Sequence, residues 1–282
     1  MPRTAATPEQ IGEFFDQANH ALEIVTGRNF HVGYWTGPED DSSLEEATDR
    51  LTDQMIESIR VGQGDFRVLD IGCGLGRPAL RLARATGALV TGISVSKEQI
   101  AHATAAAKAE GLADRVRFQY ADAMSLPFDE NSFDAVWFFE SIMLMPDRGE
   151  ALRQAARVLR PGGRIALTEP FERVPVPAHR RDAVDACMAN FRTTSIVQLD
   201  RYPGLFREAG LRLVELRDIT GNTITGSMTR YIDALLSNQP EVTDSVGQET
   251  AERMMRGFER LQNTPEVGYL HLVAVRVGDG QP

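Results

Sequence analysis

The chain has 282 residues, 42% of them hydrophobic and 25% charged, the balance of a soluble globule with ample material for a core. Its formal charge of −10 excludes the concentrated basic surface that nucleic acid demands. Arg153, Arg157, Arg160 and Arg164 do cluster, but the first three are spaced as the solvated side of a helix. No apolar run is long enough to span a membrane, and the opening Met1–Glu9 carries no apolar signal region, so a cytoplasmic location is expected, with neither membrane nor nucleic acid as partner.

Thr7 to Val25 reads as a helix. Thr7 caps it, Pro8 suits the first turn, and Ile11, Phe14, Phe15, Ala18, Leu22 and Val25 recur on one face. An aromatic stretch, Asn29-Phe-His-Val-Gly-Tyr-Trp35, and an acidic turn at Pro38–Asp41 lead to a second helix over Ser43–Ile59, where Ser43 and Glu46 are spaced as a capping box. From Phe66 short β-branched runs alternate with helical stretches. Strands are expected at Val68–Ile71, Leu89–Ile93, Val116–Tyr120, Phe133–Phe138 and Ile165–Thr168, with helices at Leu75–Arg84, Lys97–Glu110 and Arg148–Leu159. Such alternation specifies a parallel sheet with helices on both faces, and ligands then bind beyond the carboxyl ends of the strands.

After Pro170 the alternation breaks. Val174-Pro-Val-Pro177 ends the strand, and a helical stretch follows around Arg180–Asn190. A sheet-packing helix over Asp200–Ala209, a sixth strand over Arg212–Asp218 and a last strand over Gly268–Val277 complete the sheet. Val174–Val197 and the helical insertion Ser227–Leu261 read as a lid over the site.

The strongest motif is Val68-Leu-Asp-Ile-Gly-Cys-Gly-Leu-Gly-Arg-Pro-Ala-Leu80, which sets Asp70, Gly72, Gly74 and Gly76 between an apolar strand and a helix. Glycines let backbone pass close to a ligand where a Cβ would collide. The helix start beyond them offers N–H groups and positive dipole to a carboxylate, and Asp70 suits either the loop itself or an ammonium. A dinucleotide site uses GxGxxG and a nucleoside triphosphate site a following lysine; this chain has GxGxG and no lysine. Its two cysteines, Cys73 and Cys187, form no CxxC, and no histidines pair at metal spacing, so neither disulfide nor metal site is expected.

With these motifs the chain resembles the class I S-adenosylmethionine (SAM)-dependent methyltransferases, and within them the actinobacterial natural-product branch of rebeccamycin-type sugar O-methyltransferases, macrolide methyltransferases and a spinosyn-type cyclase. The resemblance runs from about Asn29 to Pro170 and more weakly onward. It rests on the aromatic stretch, Ala47–Asp53, the glycine motif, Val90–Ser96 with Gln99, Tyr120–Ala123, Asp129–Trp137 and Pro146-Asp-Arg148. It implies an α/β, Rossmann-like seven-stranded sheet with helical lid insertions, and SAM as cofactor. The implied organisation is a helical cap over residues 1–62, a SAM-binding core over 63–173, and lid helices with the remaining strands over 174–282.

The resemblance also implies roles. Ser94, with Gln99, stands where relatives hold the ribose hydroxyls; Asp122 would meet the adenine amino group and Ala123 the ring through its N–H. Tyr34 would bond the methionine carboxylate, with Trp35 beside it. Structurally, Ser94 and Asp122 also fit caps or turns, Gln99 the surface, and Tyr34 and Trp35 the core. Related sugar O-methyltransferases carry paired histidines before Met-Pro-Asp-Arg, where this chain has Met143 and Leu144.

Three readings follow for the chemistry. Glu169, after the fifth strand, acts as general base, its pKa raised by an apolar pocket; or the acceptor needs little help; or methyl transfer is lost and Met143 and Leu144 shape a cavity for cyclisation of a polyene macrolactone. In that last case Thr193 and Thr194 on the lid would donate to a polarised carbonyl. His31 is expected near the pocket, and His20, His102, His179 and His271 outside it. A SAM-dependent methyltransferase acting on a bulky, hydrophobic small molecule, a polyketide or glycoside in antibiotic biosynthesis, is placed first. A cyclase that keeps SAM as a structural part comes second. A non-catalytic SAM-binding protein comes third.

Overall fold

The structure, a computed structural model, describes residues 6–278; part of the opening segment read for a signal region lies outside the described residues. Strands β1 (Arg67–Ile71), β2 (Leu89–Ser94), β3 (Val116–Tyr120), β4 (Phe133–Phe139), β5 (Leu159–Glu172), β6 (Leu211–Asp218) and β7 (Val267–Arg276) form one sheet in the order β3-β2-β1-β4-β5-β7-β6. The first five are parallel, and β7 enters antiparallel between β5 and β6. The chain order reverses at β1, so the crevice beside its carboxyl end is the natural ligand position. Trp137 and Phe138, neighbours on β4 and so on opposite faces, are both fully buried: the sheet is covered on both sides.

Helices α1 (Pro8–Thr26) and α2 (Leu44–Ile59) both begin with a closed capping box, Thr7 with Gln10 and Ser43 with Glu46. They then part company. The α2 helix packs beneath the sheet on α3 (Arg77–Thr86), β4 and β5, whereas α1 crosses the strand ends to join α8 (Thr220–Ser237) and α9 (Gln239–Val246). On the same face as α2, α4 (Lys97–Ala109) lies beside α3, and the opposite face is covered by α5 (Arg148–Val158) and α7 (Tyr202–Glu208). The lid also holds α6 (Ala178–Asn190) and α10 (Gln248–Gln262).

Three boundaries differ from the sequence reading for local reasons. The α3 helix starts at Arg77, not Leu75, because Gly76 adopts φ 83° as its N-cap and Pro78 lies in the first turn. The lid insertion begins earlier, at Thr220, and breaks into α8, α9 and α10 at Asn238, ahead of Pro240, and at Gly247 with φ 79°. The β5 strand runs on to Glu172 because β7 pairs with it along that whole length. Among the described residues no helix is long and apolar enough to cross a membrane.

Candidate active site

Two cavities meet above the carboxyl ends of the strands. The first, about 870 Å³ counted out to its mouth, lies over β1, β2 and β4 and is roofed by Pro8, Ile11 and Phe15 of α1. Its walls bring together Asp70, Gly72, Gly74, Ser94, Gln99, Asp122 and Ala123, seven of the nine residues read as cofactor-binding, together with His31, which was expected near the pocket, and with Asn29, Phe30 and Cys73. The second, about 940 Å³, lies between α1, the lid helices and Glu140 to Leu144, and its lining is almost wholly apolar.

The glycine turn is held tightly. Gly72 and Cys73 N–H both donate to the Ile93 carbonyl, at 2.9 and 3.0 Å, so β1 and β2 end in register. Gly72 has φ 83°, and a Cβ there would meet Ser141 Cβ at 2.3 Å. Ser141 Oγ in turn donates to the Ile71 carbonyl. Gly76 does not reach the cavity lining; a Cβ on it would strike Phe118 at 2.6 Å and Ala103 at 2.8 Å. Its glycine serves helix packing, which corrects its reading as a ligand contact.

Asp70 is 1% exposed, and neither carboxylate oxygen has a hydrogen-bond partner among the described residues. Burial pushes it up to about 7, with Trp137 opposing. An orphaned buried carboxylate on a cavity wall fits a ligand that brings a cation or N–H donors. The ammonium of SAM is such a group. Ser94 Oγ donates to Gln99 Oε1 at 2.8 Å, while Gln99 Nε2 donates to Asn19 at 3.1 Å. The pair is thus tied to α1 as well as facing the cavity. Asp122 Oδ1 accepts from Met124 N–H at 2.9 Å, so the turn-forming and ligand-facing readings of this residue are compatible.

The aromatic stretch divides. Asn29, Phe30 and His31 face the first cavity, but Tyr34 and Trp35 line neither. Trp35 N–H donates to the Asn222 carbonyl at 2.8 Å, and Asn222 Nδ2 returns a bond to the Trp35 carbonyl at 2.7 Å. Gly33 N–H is held by Ser227 Oγ at 3.0 Å. Docked in this way on α8, Tyr34 packs against the apolar core, with its N–H on the Ala47 carbonyl. Its expected contact with a methionine carboxylate has no geometric support. His31 is stacked on Phe139 at 3.8 Å, and burial depresses it to about 3, which keeps it neutral.

Glu169 is also corrected. Side chains alternate along β5: Pro170 faces the second cavity, while Glu169 points to the other side, 0% exposed and outside both linings. Its Oε2 accepts from Arg148 Nε and Nη2, each at 3.1 Å. Burial raises its pKa while Arg148 opposes. Thr194 likewise lies outside both linings: its Oγ1 accepts from Arg148 Nη1 at 2.5 Å and donates to the Met143 carbonyl at 2.9 Å. Thr193 lines the second cavity, yet its hydroxyl donates to the Met188 carbonyl at 2.6 Å. Neither threonine keeps a proton free for a substrate carbonyl. Met143 and Leu144 do line the second cavity, and Leu144 lines the first as well.

The group that sequence reasoning passed over is Glu140. It is the first residue beyond β4 and lines both cavities. Its Oε1 accepts from Val32 N–H at 2.6 Å. Although it keeps surface toward the cavities, desolvation pushes it up to about 7, against lowering by Tyr269 and Val32. Its φ of 49° is a left-handed conformation that non-glycine residues adopt at a cost. The signal was present: strand ends supply the site residues, and Glu140 immediately follows the apolar run Phe133–Phe139. Cys73 and Cys187 are buried free thiols, and no group of three acidic, histidine or cysteine side chains suited to a metal ion occurs among the described residues.

Comparison with known proteins agrees with this architecture. The family described as a methyltransferase domain matches residues 69–167. The chain is 39% identical over 275 residues to methyltransferase GfsG of Streptomyces halstedii, covering 95% of each chain. It is 40% identical over 272 residues to the 27-O-demethylrifamycin SV methyltransferase of Amycolatopsis mediterranei, covering 96% of this chain and 98% of that one. Among solved structures it matches the [4+2]-cyclase SpnF with a TM-score of 0.85 and 32% identity, over 99% of this chain and 100% of that one.

Proposed function

The chain belongs to the SAM-dependent methyltransferase family, and from that premise we propose that it methylates a hydroxyl of a bulky, mainly apolar specialised metabolite, a polyketide or its glycoside. SAM, when bound, offers a methyl group on a positively charged sulfur to a nucleophile approaching in line. The observation that carries the proposal is Glu140, a carboxylate pushed up to about 7 where the two cavities join. A base with that pKa takes a hydroxyl proton efficiently near neutrality. Asp70 would meet the ammonium, and Ser94, Gln99, Asp122 and Ala123 would line the nucleoside part. Met143 and Leu144 would exclude water from the acceptor side and hold the hydroxyl in place, since proximity and alignment account for much of the rate in such displacements.

A second reading, cyclisation of a polyene, is favoured by the 32% identity to a [4+2]-cyclase and by the apolar Met143–Leu144 wall. It is weakened by the commitment of Thr193 and Thr194 to other partners. Mass spectrometry of the protein incubated with its own pathway's metabolites, with and without SAM, separates the two: methylation adds a CH₂ unit, cyclisation leaves mass unchanged. Glu140→Gln is expected to lower kcat by about 10²–10⁴-fold with S-adenosylhomocysteine affinity intact. Turnover near the parent level would remove Glu140 as base, and an unchanged product mass would overturn methylation.

A further inference from the structure

The oxygen atoms on the wall of the second cavity narrow the acceptor further, given the O-methylation just proposed. Five lining side chains carry oxygen: Thr26, Glu140, Thr193, Tyr231 and Tyr269. Three have already spent their only proton on backbone. Thr26 donates to the Leu22 carbonyl at 2.9 Å, Thr193 to the Met188 carbonyl at 2.6 Å, and Tyr231 to the His31 carbonyl at 3.0 Å. Glu140 has one oxygen engaged by Val32. The Tyr269 hydroxyl is buried with no hydrogen-bond partner among the described residues, and Glu140 and Thr168 are its nearest polar neighbours. The side chains of a cavity large enough for a bulky molecule therefore offer polar recognition at one point, where Tyr269 and Glu140 stand together.

We propose that the acceptor is an aglycone that presents a single hydroxyl to this point from a hydrocarbon-rich skeleton, with Tyr269 as the positioning residue that donates to the hydroxyl oxygen and Glu140 as the group that takes its proton. A sugar ring in the same place would bury further hydroxyls against Phe14, Phe191, Met228 and Phe258. Each buried hydroxyl left without a partner costs roughly tenfold to hundredfold in binding. Of the two acceptor types, the glycoside is thus the one the cavity selects against. The Tyr269 hydroxyl has the same logic in reverse: a buried donor with no partner among the described residues is satisfied when an acceptor oxygen is brought to it.

The test uses the full chain with radiolabelled SAM and matched probes, geranylgeraniol and testosterone against their O-glucosides, which have no hydroxyl outside the sugar. Methyl transfer confined to the free alcohols, with thermal stabilisation of the S-adenosylhomocysteine-loaded protein by the alcohols alone, is the expected result. Transfer to a sugar hydroxyl, or equal stabilisation by alcohol and glucoside, overturns the single-hydroxyl acceptor while leaving methyl transfer standing. No transfer to any probe and no stabilisation by any overturns it as well. If SAM itself fails to bind, the underlying function falls first. For Tyr269→Phe the expected signature is a KM for the alcohol raised at least tenfold, with Tm unchanged or higher because an unsatisfied buried hydroxyl is gone. A lowered Tm with unchanged KM removes Tyr269 from the acceptor site.

Discussion

The substitution Asp70→Asn should make the ligand-free protein more stable in alkaline solution. Asp70 is 1% exposed, with neither oxygen hydrogen-bonded among the described residues, and burial pushes its pKa up to about 7 from an ordinary 3.8. Because the folded-state value is the higher one, the folded chain keeps a proton that the unfolded chain has lost between about pH 4 and 7. Stability therefore falls as pH rises through that window, and the deficit is complete above it. At roughly 1.4 kcal/mol per pH unit the full deficit is about 4 kcal/mol. An asparagine side chain does not titrate and has no such slope, so the variant's Tm should exceed the parent's by about 8 °C near pH 8.5 and converge with it near pH 4. Glu140 titrates in both proteins and cancels from the difference. Calorimetric or fluorescence melts across pH measure this directly, and titration with S-adenosylhomocysteine should show affinity lost in the same variant. Parallel Tm curves for parent and variant at all pH values would refute the assignment of Asp70 as an unpaired, ligand-facing carboxylate.

Activity should rise with pH and level off above about 7, as Glu140 loses its proton; a profile flat from pH 5 to 9 would exclude it as base. Glu169→Gln leaves Arg148 buried without its counter-charge, so stability should fall by about 3 kcal/mol while the pH profile of the remaining activity stays where it was; a shifted profile would return Glu169 to the mechanism. Thr194→Val removes the side-chain link from Arg148 to the Met143 carbonyl and should raise the acceptor's KM severalfold with SAM affinity unchanged, whereas Thr194→Ser should restore it. Leu144→Gln brings an amide into both cavities beside Glu140, so the acid limb of the pH profile should move down by about one pH unit; an unmoved limb would show that apolar burial is not what tunes the carboxylate.

The sheet was legible because it is written in two strong periodicities: short β-branched runs, and helices between them with one apolar side. The lining of the first cavity was legible for a related reason. Asp70, Ser94 and Asp122 each lie at or just past the end of a strand, so their position in the sequence is their position at the sheet edge. Tyr34 failed where that logic ends. It lies on an extended segment whose direction is fixed by Asn222 and Ser227, nearly two hundred residues away, and no local pattern reports such a contact. Glu169 failed on alternation: its neighbour Pro170 faces the cavity, so Glu169 cannot. Gly76 shows a subtler confusion, since a glycine required for packing against Phe118 looks in sequence like one required for a ligand.

The same substitution that obscured the chemistry in the sequence explains it in the structure. Histidines in the place of Met143 and Leu144 would have titrated near neutrality by their own nature. A methionine and a leucine cannot, but they desolvate what stands beside them, and both share a cavity with Glu140. Desolvation is the largest cause of its rise from 4.5 to about 7, which brings a carboxylate to the range a histidine occupies unaided. Losing the ring nitrogens and gaining an apolar wall are then one change with two consequences. On the proposed mechanism the proton acceptor sits at the strand end itself and not in the loop after β4, and the cavity it would serve disfavours an acceptor with more than one polar group to bury. A wall made polar again should undo both together, because the burial that raises the carboxylate's pKa comes with the same apolar lining that is proposed to disfavour a sugar.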